Sequence, residues 1–378
     1  MSSTSRSEAR APRVVLVDLD RYDNFRELAA VLRRRRIDVV HLRPAYSGGR
    51  RAARAIDRLA GPTVILDGPL GSPAAARQIG RFLEAPTVDV HAPEPVLAVL
   101  SELPEWGANP ALAAKSRPGR PLAAACDKYE VGRLAQAAGV PVPRATLDLD
   151  DPGRYPVVVK GRLGSGGSAV RIADGPESLA RSIAELGGPG AGLYLEEFHG
   201  GTTLGTAGVS RAGELLAVVT YERADNPGDP LGPPLGVAVA DEPRCDEAAR
   251  LLMADLGYTG MFCLNFVRDD DGAPLLIDVN LRVFGTWLSQ QELGVPFVEA
   301  YLHVLGSGPP PPPSRALPGT ARRATRFGGF RAGARPALED AAAASRLAWS
   351  RVGRLGVGTT MASQLRIAQA AARAARRG

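Results

Sequence analysis

Residues 260–286 read GMFCLNFVRDDDGAPLLIDVNLRVFGT, and this stretch has the pattern of a β-hairpin. Two apolar runs flank Asp271-Gly272, a dipeptide typical of two-residue hairpin turns. A turn closed at this dipeptide fixes the register, and counting outward along both strands places Asn265 opposite Asp278. The sequence therefore predicts that these two polar side chains meet on one face of the hairpin.

Further polar residues follow at the spacing that keeps them on the same face, because side chains alternate along a strand. The predicted row is Asn265, Asp278, Asn280 and Arg282. Oxygen ligands beside a guanidinium suit a magnesium nucleotide, since Mg²⁺ takes oxygen ligands and shares them with phosphates. An ordinary hairpin with a polar exposed face has the same pattern, so the hairpin alone leaves both interpretations open.

The composition is that of a globular protein with more than one domain. The chain has 378 residues, of which 45% are hydrophobic and 23% are charged, enough for two or three domains with sizeable cores. Cys126, Cys245 and Cys263 form no CxxC pair, which argues against a disulfide framework or a zinc site. The first residues lack the apolar segment of a signal peptide, and no apolar run reaches the length of a membrane span. We expect a cytoplasmic protein with no membrane contact.

The positive charge lies at the C-terminus. The net charge is +6, but residues 314–378 contain thirteen arginines against two acidic residues, which leaves residues 1–313 at −5. This tail could touch nucleic-acid phosphates. It has only Phe327, Phe330 and Trp349 as aromatics and no RNA-binding motif, which disfavours a nucleic-acid partner. A partly helical extension that packs on the acidic body is favoured, and an acidic partner is the alternative.

The first hundred residues alternate β-like and helical segments. We predict strands at 13–19, 37–42 and 63–68, with helices at 24–35, 50–59 and 73–83. This alternation predicts a small, open, parallel sheet of Rossmann-like type. There is no GxGxxG after the first strand, which argues against a dinucleotide site.

The middle of the chain mixes helices and strands before a proline-rich linker. The predicted helices are 128–138, 176–186, 246–256 and 296–305, and the predicted strands are 192–198 and 213–223, besides the strand that ends at Lys160 and the hairpin. The turn-rich segment 226–234 interrupts this series. Five consecutive prolines, Pro309–Pro313, predict a stiff linker. Beyond it, 336–355 and 360–377 have helical patterns.

Lysine is rare in this chain, and one of its three lysines precedes a glycine-rich loop. The lysines are Lys115, Lys128 and Lys160. Lys160 ends an apolar strand and precedes a loop with Gly161, Gly164, Gly166 and Gly167. Glycines let backbone N–H groups approach phosphate oxygens, and a lysine adds a point charge. The order differs from a P-loop, and a flexible hairpin tip is the alternative interpretation.

A second polar cluster, Glu196-Glu197-Phe198-His199, ends a predicted strand. Adjacent carboxylates on a strand point to opposite faces, so at most one is expected to face a ligand. His199 has no visible partner, and we interpret it as a surface residue. The chain has no GxSxG motif and no histidine pair at metal spacing, so a bound nucleotide and metal would have to supply the chemistry.

Five short motifs occur in a fixed order. They are Asp127-Lys128, GVPVP at 139–143, VVVK at 157–160 with GSGGS at 164–168, Glu196-Glu197-Phe198, and IDVNLRVFG at 277–285. Each is weak alone. Together they resemble the ATP-grasp superfamily, in particular carboxylate–amine ligases with a carbamoyl-phosphate-synthetase-like grasp domain. The resemblance covers roughly residues 10–305.

The resemblance implies an α/β fold with a Rossmann-like N-terminal domain at 1–115 and an ATP-grasp domain at 116–308. The latter would comprise a small lid subdomain at about 140–198 and a metal-binding subdomain at about 199–308. Residues 309–378 would form the linker and a basic helical extension.

The resemblance also implies a role for each motif residue. Lys128 and Lys160 would contact the phosphates of ATP, with Lys160 and Arg282 acting in catalysis. The loop residues Gly164, Ser165, Gly166 and Gly167 would close over the phosphates. Glu196, Glu197 and Phe198 would hold the adenine. Asn265, Asp278 and Asn280 would ligate Mg²⁺, or alternatively Mn²⁺, and Arg282 would steady the transferred phosphoryl group.

The implied activity is the ATP-dependent joining of a small-molecule carboxylate to an amine, and a homodimer is compatible with it. The family usually has glutamate at the positions of Asn265 and Asp278 and reads ENP where this chain reads Val279-Asn280-Leu281. Three alternatives stay open. They are a grasp-fold kinase or carboxylase, a non-catalytic nucleotide-binding module suggested by Asn265, and the nucleic-acid binder considered above. Nothing in the chain resembles a biotin-accepting segment.

Overall fold

The computed structural model of the protein describes residues 12–17, 24–44, 63–67, 72–83, 87–104, 109–164, 167, 169–224, 234, 236–268 and 272–323. Several predictions from the sequence lie outside these residues. They are the helix at 50–59, the loop residues Ser165 and Gly166, nearly all of the 226–234 segment, and the two C-terminal helices.

The N-terminal sheet is parallel, as predicted, and its strand order is β3-β2-β1-β4. Its strands are β1 Arg13–Val17, β2 Asp38–Pro44, β3 Thr63–Leu66 and β4 Thr87–His91. Its helices are α1 Asn24–Arg34, α2 Pro73–Gly80 and α3 Glu94–Glu102. Strand β4 was not predicted from the sequence. The apolar run of β1 is buried on both faces, as a central parallel strand requires.

Three short helices connect this unit to the next sheet. They are α4 Pro110–Ala113, α5 Leu122–Cys126 and α6 Lys128–Ala137. Asp127 is the N-cap of helix α6, and its side chain accepts hydrogen bonds from the backbone N–H groups of Tyr129 and Glu130. It ends before Gly139, which has a φ of +87° that favours glycine. These caps fix the position of Lys128 in the first turn.

The small sheet follows, with antiparallel strands in the order β5-β8-β6-β7. Its elements are β5 Ala145–Thr146, β6 Val157–Gly161, β7 Val170–Ala173, α7 Pro176–Glu185 and β8 Leu193–Glu197. Strand β6 is buried along its whole length, including Lys160 at its C-terminal end. A lysine buried at a strand end needs a partner, and Lys160 finds one in Glu196 on β8.

The large sheet is antiparallel, with the order β13-β12-β9-β10-β11-β14. Its strands are β9 Thr202–Arg211, β10 Glu214–Ala224, β11 Gly236–Val239, β12 Gly260–Arg268, β13 Pro274–Asn280 and β14 Ala321–Arg323. Its helices are α8 Pro243–Leu256, α9 Trp287–Glu292 and α10 Phe297–Val304. One face packs on α1, α9 and α10, and the other packs on α6 and α8. The central strand β9 was not predicted from the sequence, and neither were β11 and β14.

The predicted hairpin is formed by β12 and β13, and Asn265 lies opposite Asp278 as expected. Nearer the turn the register differs from the prediction, because Arg268 pairs with Pro274 and not with Leu275. A β-bulge at Ile277 makes up the difference of one residue. The mixed α/β fold is therefore confirmed, while one detail of its strand pairing is corrected. None of the helices within the described residues is long and apolar enough to cross a membrane.

Candidate functional site

Two lysines meet two carboxylates where the small sheet faces the hairpin. Lys128, in the first turn of α6, forms an ion pair with Asp278 on β13. Lys160, at the end of β6, forms an ion pair with Glu196 on the neighbouring strand β8. The sequence-predicted residues Lys128, Lys160, Glu196 and Asp278 are thus brought together from four separate elements.

The β-bulge at Ile277 contributes directly to this arrangement. A bulged residue is left out of the regular ladder of backbone hydrogen bonds. The carbonyl of Ile277 accepts a hydrogen bond from Lys160 Nζ at 2.9 Å. The distortion in the hairpin register therefore supplies the contact that joins the small sheet to the large sheet.

The N-terminus of α6 is tied to the segment that follows Lys160. Arg162 Nε donates to Asp127 Oδ2 at 2.7 Å, and the Lys128 backbone N–H donates to the Arg162 carbonyl at 2.8 Å. Asp127 uses its other oxygen to cap the helix. Both lysines are consequently held by the same local framework.

The polar row predicted on the hairpin is present. Asn280 Nδ2 donates to Asp278 Oδ2 at 2.9 Å, and Asn265 Nδ2 lies 3.5 Å from the same oxygen. Arg282 follows directly and donates from Nη2 to Asn280 Oδ1 at 3.0 Å. The row is one continuous hydrogen-bonded chain of side chains, with Asp278 at its centre.

The electrostatics of the site favour charged Asp278 and Lys128. Burial alone would raise the pKa of the Asp278 carboxyl group, but Lys128 and Lys160 lower it overall. Burial would likewise lower the pKa of the Lys128 ammonium, whereas Asp278 raises it overall. Glu196 differs, because burial outweighs the attraction of Lys160 and raises the pKa of its carboxyl group. Of the two carboxylates, Glu196 is therefore the one that is protonated more readily as the pH falls.

Glu197 and Phe198 are placed differently from Glu196. The Glu197 side chain forms an ion pair with Arg154 and lies 3.6 Å from His199 Nε2. It points away from Lys160, in agreement with the prediction that only one of the two carboxylates faces the site. Phe198 follows the end of β8 and is half-buried. Within the glycine loop, Gly164 approaches Ala169 closely and Gly167 has a φ of +72°.

A cavity opens beside the lysine–carboxylate cluster. Its volume is about 360 Å³, and it lies between α6, the end of β8 and strand β13. Its wall includes Lys128, Tyr194, Glu196 and Asp278. A space of this size, lined by Lys128 and by the Glu196 carboxylate that Lys160 contacts, can admit part of a phosphorylated ligand.

A set of residues from the N-terminal unit holds the segment after β13, and none of them was predicted from the sequence. Glu94 Oε2 accepts from Arg282 Nε at 3.1 Å, and Glu94 Oε1 accepts from the Leu281 backbone N–H at 3.1 Å. His91 Nδ1 accepts from the Val283 N–H at 3.1 Å, and Asn24 Nδ2 donates to the Val283 carbonyl at 2.8 Å. His91 and Glu94 lie at the carboxyl end of β4, the edge of a parallel sheet where ligand sites form. That rule could have identified them if β4 had been predicted.

Arg223 was also missed. It lies on β10, and its Nη1 donates to Asn265 Oδ1 at 3.3 Å. Because β9 separates β10 from β12 in the sheet, this contact spans the central strand. It brings a second guanidinium to the polar row.

The donor set is suited to one hard cation. Asp278 supplies a carboxylate. Asn265 and Asn280 turn Nδ2 toward it. Their amide oxygens, the atoms that could ligate a cation, accept from Arg223 and Arg282. The Lys128 ammonium held by Asp278 shows that the position attracts a positive charge. Among the described residues no group of three His, Cys, Asp or Glu side chains could hold a metal ion by itself. The residues therefore fit a single Mg²⁺ that shares its coordination with phosphate oxygens.

Comparison with protein families agrees with this arrangement. The model of the ATP-grasp domain family matches residues 125–286, which include Lys128, Lys160, Glu196 and the whole hairpin row. Residues 125–286 form an ATP-grasp domain. No curated protein sequence matches the chain.

Solved structures show that the fold extends beyond the ATP-grasp domain. Carboxyaminoimidazole ribonucleotide synthase from Aspergillus clavatus, solved with ATP, has a TM-score of 0.59 and 17% identity, over 82% of this chain and 80% of that chain. The L-amino acid ligase from Bacillus licheniformis has a TM-score of 0.55 and 19% identity, over 82% and 79%. The biotin carboxylase domain of Hydrogenobacter thermophilus 2-oxoglutarate carboxylase, solved with MgADP and bicarbonate, has a TM-score of 0.59 and 16% identity, over 81% and 72%. At these identities the likeness shows a shared fold.

Proposed function

We propose that the protein is an ATP-dependent ligase that activates a small-molecule carboxylate as an acyl phosphate and joins it to an amine, with release of ADP and phosphate. The observation that carries this proposal is the meeting of Lys128, Lys160, Asp278 and Arg282 at one place within an ATP-grasp domain. Phosphoryl transfer depends on positioning and on neutralising charge, and these residues supply both.

The two lysines would bind the phosphates of ATP. Each lysine is paired with a carboxylate, and a polyphosphate offers both a more highly charged partner. Glu196 is the partner that can release its lysine most readily, because burial raises the pKa of its carboxyl group. Gly164 and Gly167 remain the predicted backbone contacts to the phosphates, and the Glu196–Phe198 segment remains the predicted adenine contact.

The hairpin row would hold Mg²⁺ through the carboxylate of Asp278. Asn280 and Asn265, the other two predicted ligands, would have to turn their amide oxygens from Arg282 and Arg223 toward the ion. When bound, the ion neutralises phosphate charge at the transferred group. Mn²⁺ prefers the same oxygen ligands and could replace it. Arg282 lies at the end of the row, two residues beyond Asn280, where its guanidinium would stabilise the phosphoryl group as it passes to the substrate carboxylate.

In the second half of the reaction an amine would attack the acyl carbon and phosphate would leave. The C–O bond of the acyl phosphate breaks as the C–N bond forms, and the amine loses a proton. Keeping Arg282 on the departing phosphate would assist this step, because the leaving group carries the negative charge.

ADP release measured against a panel of carboxylates and amines, offered singly and in pairs, tests this proposal. ADP that appears with a carboxylate and an amine together, with an amide product found by mass spectrometry, is the expected result. ADP with a single acceptor and no amide would indicate a kinase, and ADP that depends on bicarbonate would indicate a carboxylase. Nucleotide binding without turnover across the panel would indicate a binding module.

A further inference from the structure

We propose that Arg223 is a polyphosphate-binding residue, that Asn265 positions it, and that the site therefore binds one divalent cation beside a fixed guanidinium. This inference rests on the proposed nucleotide site, and it assigns Asn265 a role other than that of metal ligand. It starts from the contact between Arg223 Nη1 and Asn265 Oδ1 at 3.3 Å.

The backbone of the large sheet makes this contact possible. Gly205 on β9 is paired with Asn265 on one side and with Tyr221 on the other. A Cβ atom at Gly205 would come within 2.4 Å of the Tyr221 ring. Because Gly205 has no side chain, the Tyr221 ring can lie across the central strand. Arg223, two residues further along the same face of β10, reaches Asn265 on β12 beside it.

The two amide groups beside Asp278 are oriented alike, each with its nitrogen toward the Asp278 carboxylate. Asn265 turns Nδ2 toward Asp278 Oδ2 and its oxygen toward Arg223. Asn280 turns Nδ2 toward the same carboxylate oxygen and its own oxygen toward Arg282. A single carboxylate is thus flanked by two amides, and each amide oxygen is bound by a guanidinium.

This pattern leaves little negative charge for a second divalent ion. Asp278 is the one carboxylate in the row, and Asn265 contributes none. A second cation placed beside Asn265 would lie close to the Arg223 guanidinium, where like charges repel strongly at a few ångströms. The guanidinium itself can provide the missing positive charge, since its planar set of donors matches phosphate oxygens.

The proposal is tested by binding, independently of turnover. We expect wild-type protein with saturating AMP-PNP to bind one Mn²⁺ per chain, counted from the signal of free Mn²⁺ in electron paramagnetic resonance. Arg223→Ala should weaken AMP-PNP binding in calorimetry by roughly 10- to 100-fold, the range for a hydrogen bond to a charged group. AMP, which has one phosphate, should lose much less affinity. Arg211→Ala, an exposed residue at the end of β9, is the matched control and should bind AMP-PNP as wild type does.

A double variant, Arg223→Ala with Asn265→Glu, tests the charge argument directly. It removes the guanidinium and adds a carboxylate, and we expect it to bind a second Mn²⁺. Asn265→Glu alone should pair with Arg223 and stay at one Mn²⁺. Two Mn²⁺ in wild type, or unchanged AMP-PNP affinity in Arg223→Ala, would overturn this inference and leave the proposed ligase standing. A folded wild-type protein that binds no AMP-PNP would overturn both.

Discussion

Glu94 and Arg282 form a buried ion pair between the N-terminal sheet and the large sheet. Arg282 Nε donates to Glu94 Oε2 at 3.1 Å, and the two residues are 2% and 7% exposed. Glu94 also accepts the backbone N–H of Leu281. One carboxylate thus fixes both the side chain of Arg282 and the backbone beside it. The N-terminal sheet thereby determines where the guanidinium of Arg282 points.

The first prediction concerns this pair. In Glu94→Gln the amide oxygen can still accept from Leu281, but no carboxylate remains to balance Arg282. Removing one partner of a buried ion pair costs about 3–5 kcal/mol of the free energy of unfolding. We expect a loss of that order in urea unfolding, together with a fall in turnover of at least tenfold. Affinity for ADP should change little, because Lys128 and Lys160 are untouched.

Glu102→Gln, an exposed residue at the other end of α3, is the control and should match wild type in all three measurements. Glu94→Asp tests geometry apart from charge. Its shorter side chain keeps the negative charge but would pull the Arg282 guanidinium away from Asn280. We therefore expect Glu94→Asp to restore the free energy of unfolding more fully than turnover. Full turnover in Glu94→Gln would show that Arg282 needs no partner from the N-terminal sheet.

The second prediction concerns Lys160. Lys160→Ala removes a phosphate contact and leaves Glu196 buried with no ammonium beside it. The pKa of the Glu196 carboxyl group, already raised by burial, should rise further, so the variant stays folded with Glu196 protonated. We expect no detectable ADP formation and at least tenfold weaker ADP binding in calorimetry. Arg250→Ala, in an exposed pair with Glu247, is the control for loss of a positive charge. Near-normal ADP formation by Lys160→Ala would refute the site assignment.

Lys160 and the polar row could be singled out from local patterns, whereas Lys128 was singled out by the family resemblance. A turn dipeptide fixes the register of a hairpin, and a rare lysine at a strand end is conspicuous. The prediction that Asn265 faces Asp278 proved right, although the pairing near the turn was wrong by one residue and the bulge at Ile277 compensates.

Glu94, His91 and Arg223 were not predictable in the same way. Glu94 is 188 residues from Arg282, His91 is 192 from Val283, and Arg223 is 42 from Asn265. These contacts depend on how whole sheets are stacked and ordered. Local periodicity holds no information about that arrangement. The two strands that define it, β4 and β9, were not predicted from the sequence.

The third prediction concerns Asp278 and the metal. Asp278→Asn keeps the shape of the side chain but removes the one carboxylate of the row. We expect Mg²⁺ to strengthen ADP binding in wild type and to have no effect in this variant, as measured by calorimetry with and without Mg²⁺. Because Lys128 and Lys160 outweigh burial and lower the pKa of Asp278, the Mg²⁺ effect in wild type should persist down to about pH 5.

The control for this experiment is Asp241→Asn, at an exposed position outside the site. It should keep the full Mg²⁺ effect. If Asp278→Asn also kept it, the cation would have to be held by other groups, and the row would lose its role as a metal site.

The fourth prediction concerns His91, which lies in a buried network behind Arg282. Its Nδ1 accepts the backbone N–H of Val283, so its proton resides on Nε2, which lies 2.9 Å from Tyr301 Oη and 3.1 Å from Asp89 Oδ2. Burial lowers the pKa of the His91 imidazole, Lys115 lowers it further, and the opposing effect of Asp89 does not restore it. His91 is therefore neutral in the folded protein at neutral pH.

A histidine with a lowered folded-state pKa binds a proton more readily in the unfolded state. The stability it contributes is complete above its ordinary pKa of 6.5 and is lost as the pH falls below that value. We expect the free energy of unfolding to decrease between about pH 7.5 and about pH 5.5, with a contribution from His91 of up to about 1.4 kcal/mol. Urea unfolding at the two pH values measures it.

His91→Asn isolates the contribution of this residue. The asparagine oxygen can accept from Val283, and the side chain does not titrate, so the variant should be less stable than wild type but lose less stability on acidification. His303→Gln replaces a half-buried histidine outside the network and should show the wild-type pH dependence. The raised pKa of Glu196 acts in the opposite direction, and it is common to all three proteins, so it cancels in the comparison. Equal losses in wild type and His91→Asn would mean that His91 is not the group responsible.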